Sequence, residues 1–257
     1  MKAFITNRKH AHKWIGGLAI IVVLLGWQLS ATLIRLPLIL PTPRAVLVQM
    51  AALTGTRDFW GHLGATLNRG LTGFGWSFIG GTIIGFFAGR NAFVDAFFRP
   101  FIILTRSTPV LALIWFRRET VPVFVTFLMV FPIIVQNFIE GMKSIDRDLL
   151  EMADVYRIRL WRRFFYFYLP SLAPFLAAGI SNGLGIAWKV IIAAEVLSYP
   201  ARGIGTQIDT ARVYLQTDKV FAWTMVVVML GLFFDYLLDS LIKKPFERWK
   251  KAIHDFR

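Results

Sequence analysis

Arg106, Lys189 and Glu195 stand inside long apolar runs of this 257-residue chain. A charge in such surroundings must be paired, hydrated through a cavity, or used to hold or pass on another charge. The two cations would favour an anionic solute moving along a pathway. Equally, the three groups could pair between helices, and Lys189 could snorkel to a polar boundary. Both readings stand on the sequence. Other chemistry is sparse. There is no cysteine, which excludes disulfides, thiolate chemistry and Cys-bound metals. The histidines, His10, His12, His62 and His254, lie outside the apolar runs and form no HExxH or His/carboxylate cluster. No metal centre and no cofactor are expected. The carboxylates are too scattered for the catalytic constellation of a membrane enzyme.

A second group of residues combines charge with aromatic surface. Ser144 to Pro174 reads SIDRDLLEMADVYRIRLWRRFFYFYLPSLAP. Asp146 and Asp148 favour a helix start through capping and the macrodipole. Leu149, Leu150, Met152, Ala153 and Tyr156 then recur at helical spacings. A second short helix is expected over Leu160–Tyr168, with Trp161, Phe164, Phe165 and Tyr168 at three- and four-residue intervals and Pro170 as its stop. Such a helix–turn–helix beside a membrane could anchor to anionic headgroups or dock onto another protein. Spacing alone does not choose between them.

These groups need a frame, and composition supplies it. Hydrophobic residues make up 56% of the chain and charged residues 17%, where soluble domains are nearer one half and one quarter. The excess is gathered into runs, and about 20 residues rising about 1.5 Å each cross a hydrocarbon core of about 30 Å. Six spans are expected, at 15–34, 70–89, 97–116, 121–140, 172–197 and 220–242, in one all-α polytopic bundle forming a single transmembrane domain. The segment 35–69 is mixed, and Pro37, Pro41 and Pro43 make part of it extended loop. The first run is too long for a signal-peptide core and is expected to be a retained span.

The net charge of +14 would suggest nucleic acid in a soluble protein. Here its distribution explains it. With the N-terminus inside, eighteen Lys and Arg fall on the cytoplasmic side and nine outside. This bias predicts both termini in the cytoplasm, and no nucleic-acid partner is expected. Gly81-xxx-Gly85-xxx-Gly89 and Gly179-xxx-Gly183 permit close helix approach, although a passage wall would use the same small residues.

The basic loop, read with its neighbours, resembles that of the permease subunits of bacterial ATP-binding-cassette importers. Their loop carries Glu-Ala-Ala, three residues, Gly, and about nine residues later an apolar segment ending Leu-Pro. This chain has Glu151-Met152-Ala153, then Leu169-Pro170, with Arg157 where the family has glycine. Leu67-Asn68-Arg69 and the glycines after it are similar to the family's second helix. Arg106-Ser107-Thr108-Pro109 and Ile114-Trp115-Phe116 are similar to its third-helix region. Ile186-Ala187-Trp188-Lys189, Ala194-Glu195, Gly203-Ile204-Gly205 and Thr217-Asp218 resemble the nitrate, sulfonate and taurine subgroup. Arg117-Arg118 replace that subgroup's usual continuation after Trp115-Phe116.

The resemblance implies a permease working as a dimer, here expected to be a homodimer, in the bacterial inner membrane and in contact with its lipid. It implies a cytoplasmic ATPase seated on the loop through Glu151, Ala153, Asp154 and Arg157, with Leu169 and Pro170 shaping the exit of the second helix. A solute-binding protein would deliver cargo from outside, a small solute such as a sulfonate, nitrate or related nutrient. The chain has no GxxxxGK[ST] sequence, so nucleotide phosphates would be held elsewhere. The rival, an ion-gradient-driven secondary transporter, predicts an internal repeat and a midplane carboxylate relay. Neither is present in the sequence.

Overall fold

The computed structural model describes residues 2–107 and 115–240. Among them the chain is helical, without strands: α1 (Lys2–Ile34), α2 (Pro43–Thr54), α3 (Arg57–Arg90), α4 (Ala92–Ser107), α5 (Val121–Lys143), α6 (Arg147–Val155), α7 (Leu160–Arg163), α8 (Leu169–Ser198), α9 (Ile204–Val213) and α10 (Thr217–Leu238). Arg57–Arg90, Val121–Lys143, Trp161–Ser198 and Thr217–Leu238 are long and apolar enough to cross a membrane, and Leu18–Ile34 is a shorter apolar stretch. The architecture is an all-α polytopic membrane bundle. Residues 108–114 of the third expected span and 241–242 of the sixth lie outside the described residues.

The chain forms two compact units. One comprises Met1–Trp60 and Gln207–Val226, the other Gly61–Thr206 and Val227–Arg257. In the first, the loop after α1 folds back under hydrogen bonds. Trp27 Nε1 donates to the Pro41 carbonyl at 3.0 Å, and Thr217 Oγ1 to the Leu38 carbonyl at 2.7 Å. Within the mixed segment 35–69, Pro37 and Pro41 lie in loop and Pro43 opens the helix α2. Thr42 caps it by accepting from the Ala45 N–H, and Pro43 occupies its first turn, where the missing N–H has no cost.

In the second unit α5 is the central element. Val130, Ile134, Phe138 and Met142 join one buried cluster with Tyr168, Leu172 and Ala187. Val135 and Ile139 join another with Ala88. Both glycine series identified in the sequence lie against α5. A Cβ on Gly81, Gly85 or Gly89 would sit 2.8 Å from Ile134, 2.4 Å from Phe138 and 2.4 Å from Met142. One on Gly183 would come within 3.2 Å of Val130. The missing side chains let the helix backbones meet where lipid gives little net drive for association, so van der Waals packing carries the contact.

One expectation needs correction. Pro170 does not end the helix that begins at Leu160. The chain stays helical to Ser198 by widening into a π turn over Phe164–Tyr168. The Leu169 N–H reaches back to the Phe164 carbonyl. Proline lacks an N–H and crowds the carbonyl four residues earlier, and an inserted π turn relieves both.

Gly85→Ala should lower thermal stability by about 1–3 kcal/mol because Phe138 and the Val135 carbonyl cannot both retreat. Gly75→Ala, with nothing within 4 Å of its new methyl, should hold or raise the unfolding midpoint in detergent, alanine being the better helix former. Equal midpoints for the two variants would contradict the packing described.

Candidate functional site

The basic hairpin is built from its caps inward. Asp146 accepts from the Asp148 N–H at 3.0 Å and starts α6. At the other end Arg157 N–H bonds to the Asp154 carbonyl and Ile158 N–H to the Ala153 carbonyl, each at 3.0 Å. This is a Schellman closure, and it requires Arg157 to be left-handed. Its φ is 48°. The turn usually made by glycine is therefore kept with arginine, against a steric cost of about 1–2 kcal/mol.

The hairpin is then clamped by one ion pair. The guanidinium of Arg163 pairs with the Asp154 carboxylate and donates to the Leu150 carbonyl at 3.3 Å, tying α7 to α6. Ala153 is 1% exposed, and Tyr168 and Leu172 anchor the far side in the core. Facing outward are Glu151 and Arg157, neither of which has a partner among the described residues. With them stand Val155, Tyr156, Trp161 and Tyr166, each at least 74% exposed. Leu169 is 36% exposed and Pro170 half-buried. Asp154, one of the docking residues that the resemblance implies, pairs with Arg163 while its side chain stays 67% exposed. Arg163 was one of several arginines in a basic run, and only its place opposite Asp154 distinguishes it.

The charges within the spans are separated. Arg106 lies on α4, its side chain outside those described. Lys189 is exposed on α8, with no ion-pair partner among the described residues. Glu195 is completely buried near the end of the same helix. Its carboxylate accepts from Thr66 Oγ1 at 2.9 and 3.0 Å, from Arg69 Nη1 at 3.0 Å and from the Gly205 N–H at 3.0 Å. Thr66 Oγ1 in turn accepts from the Ile204 N–H at 2.9 Å. Arg69 extends the knot to the Glu119 carboxylate and the Arg202 carbonyl, and Glu119 accepts from the Ala201 N–H at 2.7 Å.

This knot ties α3, α8, the start of α9 and the residues before α5 together. Glycine is required at two points of close approach. A Cβ on Gly203 would lie 2.6 Å from the Glu195 carboxylate, and one on Gly205 would lie 2.4 Å from the Ile192 carbonyl. The sequence offered Glu195 as a pathway residue and Gly203-Ile204-Gly205 as a pattern. That Thr66, Arg69 and Glu119 complete them follows from pairings across 50 to 138 residues.

Desolvation raises the Glu119 pKa, but the Ala201 N–H and the Arg69 guanidinium more than offset it, leaving the carboxyl below its ordinary range. A folded pKa below the unfolded one gives stability that is complete above the ordinary carboxylate range and is lost as pH falls through the depressed value.

Comparison with known proteins places the chain in context. Residues 81–246 match the family described as the binding-protein-dependent transport system inner membrane component. The taurine transport system permease protein of Escherichia coli strain K12 is 27% identical over 241 residues, covering 90% of this chain and 87% of that protein. A putative aliphatic sulfonates transport permease protein of the same organism is 31% identical over 239 residues, 89% of each chain. Its namesake from Bacillus subtilis strain 168 is 27% identical over 248 residues, covering 93% of this chain and 89% of that one.

Arg69→Met strands a buried carboxylate and should cost about 3–5 kcal/mol. Glu119→Gln, at a solvent-screened partner 49% exposed, should cost less than about 1 kcal/mol. The gap in unfolding midpoint between wild type and Glu119→Gln should close as pH is lowered through the carboxylate range. A gap that widens on acidification would contradict the assignment.

Proposed function

Because the chain belongs to the family of binding-protein-dependent transport system inner membrane components, we propose that its outward-facing hairpin, Glu151 to Pro170, seats a separate cytoplasmic ATPase that drives solute through the helical bundle. The protein is the permease component of such a transporter, and its relatives are transport permeases, not ion-gradient carriers. The observation that carries the docking reading is the division of labour within the hairpin. Asp154 and Arg163 pair with each other, while the side chains of Glu151 and Arg157 have no partner among the described residues and stand beside exposed aromatic side chains. A membrane anchor would need the aromatics but not a carboxylate placed among them. Aromatic residues and arginine are also what desolvated protein interfaces favour.

In this reading the two units act as one transmembrane domain of six spans with both termini in the cytoplasm, and two copies of the chain form the pathway. A solute-binding protein delivers cargo on the opposite face. Closure of the paired ATPases draws the hairpins together and rocks the bundle between inward- and outward-facing states. Hydrolysis belongs to the ATPase chains. The likeness to taurine and sulfonate permeases, with the exposed, unpaired Lys189 on a membrane-crossing helix, supports a small anionic solute. Arg106 is the second candidate along the pathway. Glu195 serves the pathway indirectly, by fixing the ends of the helices around it.

The test is co-expression with candidate ATPase and binding-protein chains. Glu151→Lys should abolish co-purification of the ATPase, and with it solute-stimulated ATP hydrolysis, without moving the unfolding midpoint. Lys189→Gln should retain the ATPase but lower solute transport by about tenfold, the loss of one charged hydrogen bond. ATP-independent uptake by the purified chain, or full coupling in Glu151→Lys, would refute the proposal.

A further inference from the structure

A cavity of about 510 Å³ lies in the first unit, between the end of α1, the loop leading to α2 and the start of α10. It is within the size range of small-ligand sites. Its walls include Leu38, Pro41 and Leu215, and two opposite charges line it, Arg35 and Asp218. Neither charge has a side-chain partner among the described residues. Asp218 is only half-exposed. An acid in the first turn of α10 suits the helix dipole. That accounts for the residue type but not for an unpaired guanidinium lining the same hollow.

Two helix ends form part of its rim. Arg35 (φ 51°) and Leu215 (φ 54°) close α1 and α9 in the left-handed conformation that commonly ends a helix, and both line the cavity. The frame is held by the Thr217 and Trp27 hydrogen bonds to the Leu38 and Pro41 carbonyls. The cavity stands where the apolar stretch Leu18–Ile34 ends and the membrane-length α10 begins, and Leu33, Leu36, Leu38 and Leu215 beside it are 52–74% exposed. An apolar approach leading to one cation and one anion at the edge of a membrane span matches a ligand with tails and a zwitterionic head.

We propose that this cavity binds the headgroup of an aminoethyl phospholipid, Arg35 taking the phosphodiester oxygens and Asp218 the ammonium. Guanidinium matches phosphate through paired N–H donors, and the carboxylate selects a headgroup that carries an amine over one that is only anionic. The same pairing of oxyanion and ammonium occurs in a free amino-sulfonate, so the test must separate lipid from solute.

The full-length chain would be purified in detergent, supplied with equal phosphatidylethanolamine and phosphatidylglycerol, and its retained lipid measured by native mass spectrometry, with taurine as a soluble competitor. The wild type should retain phosphatidylethanolamine in excess. Arg35→Gln and Asp218→Asn should each lower that retention by about tenfold, as expected for one charged hydrogen bond. Arg35→Gly removes the charge while relieving the left-handed backbone, so retention should fall with no loss of thermal stability. Equal retention of the two lipids by wild type, or unchanged retention in the variants, would overturn the proposal. So would taurine binding that is lost in these variants while lipid retention is not.

Discussion

The second unit depends on how closely α3 and α8 can approach α5. In hydrocarbon, a lipid tail is as good an apolar neighbour as leucine, so a helix joins a bundle only where contact with protein exceeds contact with lipid. Gly81, Gly85 and Gly89 on one side, and Gly179 and Gly183 on the other, remove the side chains that would hold the backbones apart. Ser77 uses the same proximity, its hydroxyl donating to the Gly73 carbonyl within α3 and to the Phe127 carbonyl of α5 at 3.1 Å. Close packing also fixes the axial register of α3 against α5. Without that register, Thr66 and Arg69 on α3 and Glu119 ahead of α5 would not converge on the end of α8.

The ionic knot is a different kind of constraint. Packing of small residues tolerates sliding by a turn, since glycines recur every four residues. A buried carboxylate with three donors from three directions does not. Its contribution to net stability is modest because desolvation offsets most of the Coulomb attraction, while its contribution to selecting one arrangement is large. Glu195 and Arg69 therefore act on the fold chiefly by excluding alternatives. The exposed member of the network, Glu119, is held by an N–H and a guanidinium that keep its carboxyl below the ordinary range.

Much of this was legible in the sequence. The long apolar runs marked α5, α8 and α10 because membrane-length helices have a signal that depends on hydropathy alone. The glycine series on α3 and α8 suited either close packing or a passage wall, and their contacts with α5 show the packing. The hairpin's caps were readable from Asp146 and Asp148, whose local bonds need no tertiary context. What could not be read were relations between distant residues. Arg69 was visible only as the end of Leu67-Asn68-Arg69, without its carboxylate partners, and Thr66 drew no notice. Pro170 carries a strong local stop signal, overridden because a π turn costs less than breaking a helix anchored on both sides by Tyr168 and Leu172.

The continuity of the helix through Pro170 has a mechanical consequence. From Trp161 to Ser198 the chain is one helical rod of 38 residues, about 57 Å long at about 1.5 Å per residue. Arg163 clamps one end to the hairpin and Glu195 clamps the other to its knot. A rod held at both ends behaves as a lever: tilting it by about 5° about one end displaces the other by about 5 Å, on the scale of one helical turn. With the π turn near its hairpin end, bending compliance is concentrated there and the rest remains stiff. A push along the helix axis would thus reach the Glu195 knot, while a sideways push on the hairpin would bend the helix at the π turn.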